Sequence, residues 1–222
     1  MKLFIDCGVN RGQSIWAFSE YMKDNSDWDY IGFEPAIGGL KKNSKQFQEM
    51  KFNLKKWGGK YKSVQLIPQA VGAEKNIRIF WWSYGSGSTG LFSLAIRMFF
   101  RDLFSFRFKS ALRFFRFNLI RYCDIVEFVK NKKEKGYYVS LKLDEEGAEF
   151  EILEKMYKLK IFPDQLMVEY HAPKIGYPIK KLKTLHRNIF DMGVEMFLWG
   201  AEFGNYEPPM KKLGRDLSYE DC

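Results

Sequence analysis

Four short apolar runs in this chain end at ionisable residues, and a helix-like stretch follows each. Lys2 to Asp6 leads through Gly8 and Gly12 into a helical stretch over Ser14 to Met22. Tyr30 to Phe33 ends at Glu34, and Leu40 to Trp57 reads as helix after it. Tyr137 to Leu143 ends at Asp144 before a helix over Ala148 to Tyr157. Gln165 to Tyr170 carries Glu169 and adjoins His171, ahead of a helix over Lys180 to Met192. Strand and helix alternating at this spacing predict a mostly parallel sheet covered by helices on both faces. Ligands of such sheets bind at the carboxyl ends of the strands, near the point where strand order reverses. Asp6, Glu34, Asp144, Glu169 and His171 all fall at such ends.

Further strands are expected over Val64 to Val71 and Ile77 to Trp82, paired with each other, and over Val194 to Trp199. That makes about seven strands in one α/β domain over residues 1–222. Gly85 to Gly90 reads as a loop. Leu91 to Tyr122 breaks the alternation; rich in Phe, Leu and Arg, it reads as a helical insertion in which apolar residues nearly surround the backbone.

Charge is concentrated in that region. Of the chain's net +9, most comes from residues 96–135, which hold eleven Lys or Arg against four acids. Arg97 and Arg101 interrupt the longest apolar stretch, so no membrane-spanning helix is expected. The N-terminus meets Asp6 too soon for a signal-peptide core. Cys7, Cys123 and Cys222 are scattered and form no CxxC pair. Neither a structural zinc site nor a disulfide framework is suggested, and a reducing, cytoplasmic setting is expected.

Three constellations carry chemistry. In Ile5-Asp6-Cys7-Gly8-Val9-Asn10-Arg11-Gly12 the glycines permit a tight turn and close approach of a ligand, with a helix N-terminus just beyond. The third glycine of the dinucleotide fingerprint and the lysine of a phosphate loop are absent. Gly32-Phe33-Glu34-Pro35 puts an acid at a strand end, where a carboxylate accepts hydrogen bonds from both ribose hydroxyls. The third is Leu141-Lys142-Leu143-Asp144-Glu145-Glu146-Gly147-Ala148-Glu149 with Phe150 to Leu153. Acids in a first helical turn suit the helix dipole, the reading preferred for Glu151.

These runs resemble the FkbM-type methyltransferases. LKLDEEGAEFEIL is similar to that family's D-x-E-G-A-E signature, IDCGVNRG to its I-D-x-G-x-N-x-G, and GFEP to its ribose-binding acid followed by proline. Gln69 to Gly72 resembles its A-V-G element, Ser86 to Ser93 its small-residue loop, Asp124 to Phe128 the helix before the signature, and Met167 to His171 its E-x-H. The matches run in order from Lys2 to His171. Arg97 to Arg121 departs from the pattern as an insertion, and the sequence starts directly at the first strand.

The resemblance implies a Rossmann-like methyltransferase fold using S-adenosylmethionine, often to methylate a hydroxyl of a sugar or secondary metabolite. It implies cofactor contacts by Asp6, Cys7, Gly8, Asn10, Gly12 and Ser14 toward the methionine end. Glu34 with Pro35 would hold the ribose, Gln69 with Ala70 would border the adenine, and Asp144 would lie beside the methionine amine or the transferred methyl.

A hydroxyl acceptor needs a base, and His171, flanked by carboxylates, is the candidate, with Glu146 and Glu169 as further catalytic acids. His186, mid-helix, reads as structural. A rival reading, not the preferred one, gathers Asp144, Glu146, Glu169 and His171 around a divalent ion that lowers the hydroxyl pKa. For the insertion at 91–122, a helical cover over the cleft is preferred. A peripheral membrane contact and a nucleic-acid surface compete with it, the latter disfavoured for want of any RNA-binding motif. A nucleic-acid methyltransferase, a membrane-surface protein and a non-catalytic cofactor-binding protein on the same fold are the alternatives to a glycan O-methyltransferase.

Overall fold

The computed structural model describes residues 1–9, 12–21, 27–35, 52, 63–81, 92–106, 108, 117–145, 147–199 and 210–218. In chain order the elements are β1 (Lys2–Cys7), α1 (Gln13–Tyr21), β2 (Trp28–Phe33), β3 (Ser63–Ile67), β4 (Ala70–Gly72) and β5 (Asn76–Trp81). Next come α2 (Phe92–Phe104), β6 (Phe117–Asp124), α3 (Ile125–Glu134), β7 (Tyr138–Leu143) and α4 (Glu149–Leu159). The last are β8 (Gln165–Val168), α5 (Ala172–Ile175), α6 (Ile179–Phe190), β9 (Glu195–Trp199) and β10 (Met210–Lys212).

Seven strands form one sheet in the order β10-β9-β8-β7-β1-β2-β3. Every neighbouring pair is parallel except β9 with β10 at the edge. From β1 the chain builds outward through β2 and β3, then crosses back to β7 and builds the other way. Strand order therefore reverses at the β1/β7 pair, and the carboxyl ends there are where ligands of such sheets bind.

The period-2 geometry of a strand sorts β1 between two cores. Leu3, Ile5 and Cys7 join Val139, Leu141 and Leu143 of β7 beneath α3, α4 and α6. Phe4 points to the opposite face, with Trp28, Tyr30, Phe197 and Trp199, beneath Ile15 and Phe18 of α1. There Phe4 and Phe18 stack with ring centroids 4.0 Å apart, and Trp28 meets Phe18 edge-on at 4.9 Å. Helices thus cover both faces, as the alternation predicts.

Two expectations for the middle of the chain need correcting. Val64 to Val71 is not one strand and does not pair with the run at Ile77. Pro68, which has no N–H to give a ladder, follows β3, and the chain turns there with Gln69 N–H donating to Ile67 O at 2.9 Å. Beyond the turn, β4 enters a separate three-stranded sheet in the order β4-β6-β5. The second correction concerns Leu91 to Tyr122, which is not helical throughout: α2 ends at Phe104 and β6 begins at Phe117. In β6, Leu119 and Arg121 point out while Ile120 and Tyr122 point in, a strand period hidden by the aromatic and basic composition around it.

The small sheet is tied to the large one through α4. Arg78 of β5 donates to Glu151 at 3.0 Å, and Lys155 donates to Ala73 O at 2.6 Å while pairing with Asp124. Asp124 also caps α3 by accepting from Glu127 N–H at 3.2 Å. Glu151, expected only to complement the helix dipole, therefore carries a tertiary contact. The expected helix over Leu40 to Trp57 and the loop at Gly85 to Gly90 lie outside the described residues, apart from Phe52, which is helical. No helix among the described residues is long and apolar enough to cross a membrane.

Candidate functional site

At the reversal point, β1 ends in a turn that two backbone hydrogen bonds pin to β2. Gly8 N–H and Val9 N–H both donate to Phe33 O, at 3.1 and 3.2 Å. Gly8 adopts φ +83°, and a Cβ there would stand 2.5 Å from the carbonyl oxygen of Asp144. Only glycine lets the first turn lie this close to the end of β7. Gly12, at φ +84°, donates to Val9 O at 2.8 Å and accepts from Trp16 N–H, closing the turn into α1.

Asp6 and Lys142 are register partners on β1 and β7, and both are completely buried. Lys142 Nζ lies 3.2 Å from Asp6 Oδ1 and 3.1 Å from Asp144 Oδ2, with its ammonium 5.6 Å from the Trp199 ring centroid. The two carboxylates hold the lysine's proton affinity above its ordinary value despite burial, which opposes them. Desolvation raises the pKa of Asp6; Lys142 pulls the other way. Both Asp6 oxygens are sealed from solvent, and Lys142 is the counter-charge beside them.

Glu34 is buried at the end of β2, where its N–H donates to Ile67 O at 3.1 Å. Glu145 comes from the loop after β7 and lies against the first turn, its Oε1 3.7 Å from where a Gly8 Cβ would stand. That oxygen has no hydrogen-bond partner. Burial pushes the Glu145 carboxyl well above the usual range, and Glu34 adds to the shift. Residue-wide exposure is intermediate, yet this oxygen itself is sealed from solvent, and the sealed atom governs its titration.

The third strand end carries the histidine. Glu149, in the first turn of α4, is fully buried; its Oε2 accepts from Gly147 N–H at 2.6 Å. Its Oε1 accepts from His171 N–H at 3.1 Å and lies 3.2 Å from His171 Nδ1. The other ring nitrogen, Nε2, faces Glu169 at 3.4 Å and Asp144 at 4.0 Å. Glu149 orients the ring, and Nε2 points at two carboxylates. Two carboxylates beside a ring nitrogen attract a proton or a cation to that side. Asp144, Glu169 and His171 each bring one ligand atom within 4.8 Å of the others, a spacing that suits a divalent ion.

Of the sequence candidates, Asp6, Gly8, Gly12, Ser14, Glu34, Pro35, Asp144, Glu169 and His171 are brought to the carboxyl ends of β1, β2, β7 and β8 or the turns beyond them. Gln69 and Ala70 stand where β3 gives way to β4, with Ala70 buried against Phe80, Ile120 and Tyr122. Cys7 can serve the site only through its backbone. It is the last residue of β1, but its thiol is turned into the core, where burial pushes its pKa up. Asn10 and Glu146 lie outside the described residues. His186 is structural as expected: Nδ1 lies 3.2 Å from Tyr170 Oη and Nε2 2.8 Å from Gly214 O. Sequence reasoning missed Lys142, Glu145 and the orienting role of Glu149. Lys142 carried a readable signal, since a lysine flanked by leucines in a run bound for the sheet centre has to find a counter-charge.

Comparison with known protein families, with curated proteins and with solved structures finds no match for this chain. The fold and the site geometry therefore stand by themselves as the ground for a functional reading.

Proposed function

We propose that this protein is an S-adenosylmethionine-dependent O-methyltransferase of Rossmann-like fold, acting on a hydroxyl of a sugar or glycan. The observation that carries the reading is the convergence, at one strand-order reversal, of a glycine turn too close to Asp144 for any side chain, a buried acid on β1 and a second on β2. The resemblance of IDCGVNRG, GFEP and DEEGAE to the FkbM-type methyltransferases supports it.

The site fits the donor's charge. Asp6, Glu34, Asp144, Glu145, Glu149 and Glu169 gather there, with Lys142 and His171 as the counter-charges among the described residues. S-adenosylmethionine supplies an electrophilic methyl on a sulfonium, and carries an ammonium besides. Asp144, partly exposed, suits the ammonium, with Asp6 behind it across Lys142, and Glu34 suits the ribose diol. In-line displacement asks the protein chiefly for alignment and for a place to put one proton. His171 Nε2 takes the acceptor proton, while Glu149 holds the ring through Nδ1.

A second reading rests on the ligand-like spacing of Asp144, Glu169 and His171. A divalent ion held there would lower the pKa of the acceptor hydroxyl directly. Methyl-labelled donor and a panel of sugars, assayed with and without chelator, test both. Incorporation that survives chelation and falls about 10²-fold or more in His171→Ala, with donor binding retained, supports the histidine base. Loss on chelation, restored by magnesium or manganese, supports the ion instead. Label entering nucleic acid, or no hydroxyl acceptor at all although the donor binds, overturns the acceptor class.

A further inference from the structure

The small sheet turns an apolar face outward. On β5, Ile77 is 62% exposed and Ile79 39%; across the ladder on β6, Leu119 is 72% exposed. Ile79 and Leu119 are direct register partners, and Ile77 stands opposite the exposed Arg121. The inward positions of the same strands hold Phe80, Ile120 and Tyr122. An antiparallel sheet with one wetted face ordinarily alternates apolar in and polar out. Here the outward face carries Ile77, Ile79 and Leu119 beside Arg121.

The same region bears exposed aromatics. Phe100 and Phe104 stack along α2 with centroids 6.1 Å apart, while Ala95 and Asp102 are buried. At the end of α2 the chain carries Phe104 and Phe106 at 77% and 82% exposure, and Phe108 at 56%. A rim of three aromatics held in water is unfavourable unless something covers it.

Charge selects what covers it. Residues 96–122 hold seven Lys or Arg and one acid, Asp102. A second copy of this chain would bring like charge against like. Phenylalanine and aliphatic side chains, together with the exposed Arg121 and the basic excess of the segment's sequence, fit an anionic bilayer surface, where the rings enter the interface and the cations meet phosphate. No described helix is long enough to span, so attachment is peripheral.

We infer that the β5–β6 face and the aromatic end of α2 dock this protein on anionic membrane surfaces. The inference does not rest on methyl transfer, because none of its residues belongs to the proposed donor or catalytic site. It does bear on access, since α2 packs against α5, the turn that directly follows His171.

Co-sedimentation with vesicles tests it, using phosphatidylcholine alone and phosphatidylcholine with about 30% phosphatidylglycerol. Binding is expected only to the anionic vesicles, and is expected to weaken as salt rises. The variant Phe104→Ser/Phe106→Ser/Phe108→Ser should lower partitioning about tenfold or more. Ile77→Thr/Leu119→Thr, which puts a β-branched strand former at both positions, should lower it in the same direction with circular dichroism unchanged. No binding to anionic vesicles overturns the proposal, as does equal binding to neutral ones. Full binding by both folded variants overturns it too, because charge alone would then hold the protein. A dimer in solution that the triple variant converts to monomer assigns the face to a second copy and also overturns it.

Discussion

Lys142 is the residue on which the site's electrostatics turn. Fully buried, it neutralises Asp6, which water cannot reach, and also pairs with the partly exposed Asp144. Lys142→Met keeps the volume but strands Asp6 in the interior, and should cost about 3–5 kcal/mol in urea unfolding. Gly8 is the second such residue. Gly8→Ala combines positive φ with a clash against Asp144 O and should cost about 2 kcal/mol or more. Gly136→Ala is the control: its φ is also positive, at +78°, but nothing lies within 4 Å of the new methyl. It should cost only about 1 kcal/mol, so the difference between the two variants isolates the clash.

Glu145 gives a pH signature. Its folded pKa is raised, first by burial and then by Glu34, so the native state holds the proton more tightly than the unfolded chain does. Stability contributed by this group is present at low pH and is lost as pH rises from the ordinary glutamate range through the raised value. Glu145→Gln removes that loss. Unfolding midpoints should show the variant more stable than the wild type at about pH 8, with the gain vanishing toward about pH 4. A gain of equal size at both ends would mean that the carboxyl does not titrate differently on folding.

Among the elements, the strand–turn–helix units were legible and the small sheet was not. β1 with α1 and β7 with α4 declare themselves by an apolar run, an acid, a glycine and then a helical period, all within reach of local rules. Glu34 was readable for the same reason. β4 is three residues long and has no periodicity to read, and β6 sits next to the aromatic stretch that also forms α2. Their pairing joins Ala70 to Tyr122 and Asn76 to Tyr122, contacts set by tertiary packing and not by local propensity. β10, an antiparallel edge strand of Met210 to Lys212, is too short and too basic to announce itself. Within the site, the carboxylates at strand ends could be placed from sequence. The partner of each could not, because Lys142 meets Asp6, and Glu149 meets His171, only after strands and helices distant in the chain pack together.

The whole molecule separates its charge. The chain is strongly basic, yet acids gather at the strand ends, and the basic excess lies largely in the sequence around α2 and β6. This division lets one end attract a cationic small molecule while another surface attracts anions. It also makes the donor pocket the feature on which the functional account depends. Calorimetric titration of S-adenosylhomocysteine into the wild type and into Glu34→Ala tests that pocket most directly. The account predicts saturable one-to-one binding by the wild type and a loss of about tenfold or more in the variant, as removal of a charged hydrogen-bond acceptor implies. Folded wild-type protein that gives no binding heat with either S-adenosylhomocysteine or S-adenosylmethionine would contradict it.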